Sequence, residues 1–230
     1  MLNQILGQDL ARLWFGFRAH DGALKNYYSQ DYPTLNTGYD EVEFVAIDIE
    51  CTGLDSTKDE IISVGLVPII DGAIRLSEAE YHLVKPTFPV PPETAVIHGI
   101  LDGHLETAPP LEDVLPLVLD SIAGRVPVAH HCRIEEQFLS QACRKLYGLP
   151  LAVPYVDTMS LEIKRFRRRH SEKEAKGSFR LGAIRDRYKL PRYRAHNALI
   201  DAIACAEVFL AQASGLSGKK QARLGDLLEA

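Results

Sequence analysis

Asp48 and Glu50 flank a single isoleucine at the end of the apolar run Phe44-Val45-Ala46-Ile47. On an extended strand, residues two apart point to one face, so the two carboxylates are presented together. Left bare, they repel and raise each other's pKa. A hard divalent cation relieves that repulsion, because Mg²⁺ favours carboxylate and water oxygens. An isolated Asp-X-Glu is equally compatible with two solvated acids. The buried-strand character of 44–47 gives the metal reading its weight. A second constellation is His196 and Asp201, ahead of the apolar helical run Ala202 to Leu210. A histidine at a helix start and an acid about one turn on can face one site. Taken alone, the same spacing also fits a capping histidine and a surface acid. The third constellation is Ala129-His130-His131, followed by Glu135, Phe138 and Leu139. A strand ends at the histidines and a helix carries the acid. No third ligand stands at a zinc spacing, so His130 reads as structural rather than metal-binding.

These residues need elements to hold them. Residues 1–40 form an extension, the core spans 41–213, and a tail follows from 214 to 230. Leu2, Ile5, Leu6, Leu10, Leu13, Trp14 and Phe17 recur at helical spacing, predicting a helix over 3–18 whose wide apolar face packs on the core. Tyr27 to Asp40 reads as a connecting loop. Strands are expected at 44–47, 61–70, 74–84, 125–129 and 153–156, with a hairpin signal at Asp71-Gly72. Helices are expected over 93–98, 111–122, 133–147, 157–169, 179–188 and 196–213. This order predicts an α/β domain with a mixed five-stranded central sheet flanked by helices.

Composition narrows the class. The chain has 230 residues, 46% of them hydrophobic and 25% charged, which suits a soluble globular protein. No apolar run approaches a membrane span and no secretory signal is visible, so a cytoplasmic protein without a membrane partner is expected. The four cysteines are far apart and read as free thiols. Net charge is −5, yet residues 161–200 hold 13 Lys or Arg against 4 Asp or Glu. That asymmetry fits an anionic partner docked on one region, or a solvated basic face.

Taken in order, the segments resemble the DnaQ-like, DEDD-type 3′–5′ exonucleases of the histidine subgroup. Asp48-Ile49-Glu50-Cys51-Thr52-Gly53-Leu54 resembles the first family motif. Ala129-His130-His131 through Glu135 to Phe138-Leu139 resembles the second, and His196 with Asp201 the third. Ile97-His98-Gly99-Ile100 and Val156-Asp157-Thr158 resemble further segments. The likeness covers roughly 42–213. Asn197 stands where the tyrosine subgroup has Tyr. Glu135 stands where the family has Asp, Cys51 where it has Thr, His131 where it has Asn and Ile134 where it has Phe.

The resemblance implies a ribonuclease H-like fold similar to the exonuclease domain of the DNA polymerase III epsilon subunit. It implies two divalent cations, Mg²⁺ or Mn²⁺, held by Asp48, Glu50, Glu135 and Asp201, with His196 as general base. Cys51, Thr52 and Leu54 would cradle the terminal nucleotide, with Leu54 as an apolar wedge. His98 and His130 are further candidates for substrate contact, with packing the competing reading for each. The implied substrates are single-stranded DNA or RNA 3′ ends, the product is a nucleoside monophosphate, and proofreading or repair is the implied setting. A homodimer or association with a polymerase is also compatible with the family. Two readings stand beside this one: an RNA-trimming or oligonucleotide-degrading exoribonuclease, and a non-catalytic nucleic-acid-binding module of the same fold.

Overall fold

The computed structural model describes residues 2–20, 22–169, 179–216 and 222–228. Its centre is β1 (Phe44–Cys51), an octapeptide whose first four residues are almost fully buried. β1 runs antiparallel to β2 (Ile61–Ile70) and parallel to β5 (Val126–Ala129), which in turn runs parallel to β6 (Val156–Asp157). β2 also pairs with β3 (Ala73–Ile74) and β4 (Glu80–Leu83). The sheet therefore has six strands rather than five. The expected single strand at 74–84 is broken by a 3₁₀ turn at Leu76–Glu78, so its two halves pair separately with β2.

Strand alternation assigns each β1 side chain to a layer. Val45, Ile47 and Ile49 pack with α2 (Ala23–Ser29), α5 (Leu111–Ile122) and α6 (Arg133–Tyr147). Phe44 and Ala46 face the other way, onto α9 (Ala198–Leu216). Phe44 and Phe209 meet with ring centroids 4.7 Å apart. Such a pair adds ~0.5–1.5 kcal/mol beyond its buried area. Asp48 and Glu50 continue the Phe44–Ala46 face, which turns both acids toward the layer that α9 occupies. By length and composition α9 is apolar enough to cross a membrane, a property that scanning for uninterrupted apolar runs passes over. Its apolar side chains, Ala202, Ala206 and Phe209 among them, instead cover the sheet.

The ends of the chain join this core. Leu24 and Tyr27 of α2 are each 1% exposed within the α5–α6 layer, so the expected loop at 27–40 starts inside a helix that packs one face on the core. Gly38 bridges to Arg223, and Leu224 N–H donates to Thr37 O at 2.9 Å. That seats α10 (Leu224–Leu228) in the α9 layer. The expected tail from 214 begins inside α9, which continues to Leu216, and its residues 217–221 lie outside the described residues. α1 (Leu2–Arg18) corrects the expectation of one wide core-facing stripe. Arg12 is buried, whereas Leu10, Leu13, Trp14 and Phe17 are exposed. The side chains of Leu2, Ile5 and Leu6 lie outside the described residues.

Candidate active site

Three elements converge at the C-terminal end of β1. β1 itself supplies Asp48 and Glu50, both half-buried. Its ladder with β2 pairs Asp48 with Gly65 and Glu50 with Ser63, then slips at Cys51, releasing the chain into the loop 52–60. α6 supplies Glu135 from its first turn, and α9 supplies Asp201 from its first turn. The N-terminus of α9 can come this close because Gly65 has no side chain. A β-carbon there would sit 2.3 Å from the carbonyl carbon of Ala198.

The turn into α9 is built from its own residues. Asn197 Oδ1 accepts the Ile200 N–H at 3.1 Å, the bond of a helix N-cap. Asp201 Oδ2 accepts the His196 N–H at 2.6 Å. His196 has φ 68°, a left-handed conformation that the clasp by Asp201 holds in place. One ligand atom each from Glu50, His196 and Asp201 lie within 4.8 Å of one another.

The electrostatics are those of crowded acids, with the charge of Arg185 partly offsetting the shift at Asp201. Burial, then Asp201, pushes Glu50 up to about 7. Burial, then the charges of Glu135, Asp201 and Glu50, holds Asp48 well above the usual carboxylate range. Glu135 is 4% exposed and is raised by burial, with Asp157 and Glu50 adding to the shift. Its Oε2 is buried and has no hydrogen-bond partner among the described residues. A buried acceptor left unpaired is costly. Asp201 is raised by burial, partly offset by the His196 N–H. Four carboxylates raised in this way, one with an orphan oxygen, form a donor set that fits hard divalent cations.

The remaining expected residues divide. Leu54 is 79% exposed and stands beside an open cleft of about 900 Å³ that His131, Arg133, Gln137 and Asp157 also line. Cys51 is half-buried, and burial followed by the charge of Glu135 keeps it a neutral thiol. Thr52 is 1% exposed, and its Oγ1 accepts the Glu60 N–H at 2.9 Å, so its side chain closes the loop 52–60. His130 has both ring nitrogens engaged, Nδ1 with Thr158 Oγ1 at 2.8 Å and Nε2 with Phe179 O at 3.0 Å. Burial lowers its pKa, so the ring is neutral there and braces strand against helix.

His98 ends α3 (Pro92–His98). Its Nδ1 accepts the Ile100 N–H at 3.0 Å, and its Nε2 is buried without a partner among the described residues. Burial and then His196 lower its pKa, which places it beside the site.

Several described cations of the basic stretch are engaged by neighbours, although most of them stand at the surface. Arg165 donates to Tyr188 Oη at 3.1 Å, Arg187 pairs with Glu162 at 3.4 Å and Arg192 with Asp186 at 3.0 Å. Arg167 is exposed. The side chains of Arg168 and Arg169, with Lys173 and Lys176, lie outside the described residues. Arg185 was not singled out by sequence. It is 3% exposed, reaches Glu207 Oε2 at 2.6 Å and donates to Pro191 O at 2.6 Å and Ala204 O at 2.9 Å. It thereby ties the segment leading to His196 onto α9.

A mixed sheet with clustered acids at the end of its central strand, and a histidine at the mouth of the cluster, defines a nuclease site of the DEDD type. The chain belongs to the exonuclease family whose RNase T model matches residues 45–209. It is 35% identical over 178 residues to a PolC-type DNA polymerase III of Thermotoga petrophila, a match covering 77% of this chain and 12% of that relative. It is 29% identical to the DNA polymerase III epsilon subunit of Aquifex aeolicus, over 73% of this chain and 78% of that one. Among solved structures, Exonuclease X in complex with 5′ overhanging duplex DNA superposes with TM-score 0.56 at 25% identity, covering 78% of this chain and 97% of that chain. The chain thus spans about an eighth of the PolC-type relatives it matches.

Proposed function

We propose that the protein removes nucleoside monophosphates from the 3′ end of a single-stranded nucleic acid, DNA or RNA, with two divalent cations, Mg²⁺ or Mn²⁺. The observation that carries this reading is the convergence of Asp48, Glu50, Glu135 and Asp201, all with raised pKa values. Glu50, Asp201 and Asp48 would hold one ion, with Asp48 shared and Glu135 supporting the second through its unpaired oxygen. Bound there, the ions would supply Lewis-acid stabilisation of the phosphoryl charge and a water of lowered pKa.

The chain's own groups do the rest. His196 is exposed at the mouth of the site, where its ring can take a proton from water as general base. That role would fit the histidine subgroup, with Asn197, the α9 cap, at the position where the tyrosine subgroup has Tyr. Leu54 projects far enough to wedge beside the terminal base. The rings of His98 and His196 would flank the same side, with the His98 Nε2–H as a donor. Arg133 and the cleft below Leu54 offer the strand a path away from the acids. Charge on Arg167 would add affinity without sequence preference. Proofreading beside a polymerase is the biological setting the relatives' names suggest for such a domain.

The test is a panel of single- and double-stranded DNA, RNA and short oligonucleotides, with Mg²⁺, Mn²⁺ or chelator. Mononucleotide release that needs the metal and is lost in Asp48→Asn supports the proposal. A folded protein that releases nothing from any substrate would leave the non-catalytic binding module in its place.

A further inference from the structure

The loop that carries Leu54 has open space on both sides. In front, Leu54, Asp55, Ser56 and Thr57 form one wall of the cleft of about 900 Å³. Behind, Ser56, Asp59 and Glu60 border a second cavity of about 230 Å³, which Ile61, Val84 and Phe138 also line. Leu54 itself is 79% exposed, so apolar packing does not set its position. A loop with voids on either side has few dispersion contacts to fix it.

Polar bonds take over, and they converge on one carboxylate. Asp59 Oδ2 accepts the Asp55 N–H at 2.8 Å, and Asp59 Oδ1 accepts the Thr52 hydroxyl at 3.4 Å. The two bonds bracket Gly53 and Leu54 along the chain. Gly53 leaves room for the carboxylate, since a β-carbon there would stand 2.4 Å from Asp59 Oδ2 and 2.6 Å from Oδ1. Asp59 is itself fixed. Its N–H donates to Asp55 O at 2.7 Å, and the neighbouring Glu60 O accepts the Thr52 N–H at 2.9 Å. The Glu60 carboxylate then accepts the Thr87 N–H at 2.6 Å and the Thr87 hydroxyl at 2.8 Å. That ties the far end of the loop to the segment leading into α3 and His98. A hydrogen bond from a backbone N–H to a charged carboxylate is stronger than one between neutral groups.

We propose that Asp59 is a positioning residue, whose carboxylate sets where the Leu54 side chain stands against the base of the 3′-terminal nucleotide. This rests on the exonuclease reading above. Leu54 acts only where there is a base to press on. Loss of Asp59 therefore weakens the hold on an ordinary 3′ end and spares hydrolysis by the acids. A general loss of fold would affect every 3′ end alike.

The full chain is assayed with Mg²⁺ on two single strands. One ends in an ordinary nucleotide, the other in a tetrahydrofuran residue that carries no base. On the ordinary strand, Asp59→Ala should raise KM about tenfold with kcat nearly unchanged. Asp59→Asn, whose Oδ1 can still accept the Asp55 N–H, should stay within about threefold of wild type. On the strand without the terminal base, wild type and Asp59→Ala should agree within about twofold. In a Leu54→Ala background, Asp59→Ala should add less than about twofold, because the two residues act through one contact. Gly53→Ala crowds the carboxylate without removing it and should raise KM in the same direction. It takes the place of Asp59→Ala on both strands if that variant fails to fold. Equal losses on the two strands would overturn the positioning role. So would a wild-type KM in Asp59→Ala, or a loss that adds in full to that of Leu54→Ala. A wild-type protein that releases no mononucleotide would instead overturn the exonuclease reading, and this proposal with it.

Discussion

Asp48 and Gly65 face each other across the β1–β2 ladder, and the bare backbone at Gly65 admits the N-terminus of α9 beside the acid. The distance between the motif-bearing strand and the motif-bearing helix is set by an atom that is missing. Gly65→Ala would place a β-carbon 2.4 Å from the Ala198 carbonyl oxygen, far inside van der Waals contact. The obstacle is backbone, so α9 must move, and His196 and Asp201 move with it. Displacement of about 1 Å in a catalytic group can cost ~100-fold. We expect kcat to fall by about that factor while the circular dichroism spectrum is kept. Wild-type kcat in Gly65→Ala would refute this role.

The raised carboxylates set a pH dependence for the metal-free protein. Glu50 goes from its ordinary 4.5 to about 7 on folding, and Asp48 and Glu135 shift the same way. Each therefore binds its proton more tightly in the folded state. Stability is highest below the unfolded value and falls as pH rises through the folded value. With chelator present, Tm should drop between about pH 4.5 and pH 7. Added Mg²⁺ or Mn²⁺ should raise it most at and above neutrality. Glu50→Gln should flatten the chelated profile. A chelated Tm that rises across that interval would contradict the crowded-acid picture.

His196 can be separated from the acids by what its loss spares. As general base, His196→Ala should lower kcat ~100- to 10,000-fold. Mn²⁺ affinity, read by calorimetry, should change only a few-fold, whereas Asp201→Asn should weaken it strongly. Equal loss of affinity in both variants would make His196 a ligand, a geometry that its closeness to Glu50 and Asp201 permits.

Arg185 holds the approach to His196 from behind. Its guanidinium joins Glu207, Pro191 O and Ala204 O, with Tyr193 stacked 4.4 Å from it. Removing one partner of a buried ion pair typically costs about 3–5 kcal/mol. Arg185→Met should lower Tm by several degrees. Below its melting temperature, kcat should fall more than KM rises, because the segment carrying His196 loses its anchor. A variant that loses stability but keeps kcat would limit Arg185 to a structural part.

Much of the site was legible in the chain because the chemistry lies in short segments. Asp48 and Glu50 sit at the end of an apolar run, and alternation alone puts them on one face. Glu135 and Asp201 were found through family order, since neither has a local pattern that distinguishes it from a surface acid. What stayed hidden depends on contacts between distant segments. Gly65 looks like any strand glycine until α9 packs on it. Arg185 reads as one more charge in a basic stretch until Glu207 and Pro191 enclose it. Thr52 belongs to the first motif, but its hydroxyl closes a loop on Glu60. The break at Leu76–Glu78 splits a strand that hydropathy reads as continuous. The exposed face of α1 escaped because periodicity reports that a helix is amphipathic, not which neighbour it finds.

The most direct measurement follows one single-stranded oligonucleotide labelled at its 3′ end and the same strand labelled at its 5′ end, with Mn²⁺. We expect the 3′ label to leave at once as a mononucleotide, the 5′-labelled strand to shorten one residue at a time, and both to stop in chelator and in Asp48→Asn. Internal fragments, release from the 5′ end, or activity that persists in Asp48→Asn would contradict a metal-dependent 3′–5′ exonuclease centred on Asp48 and Glu50.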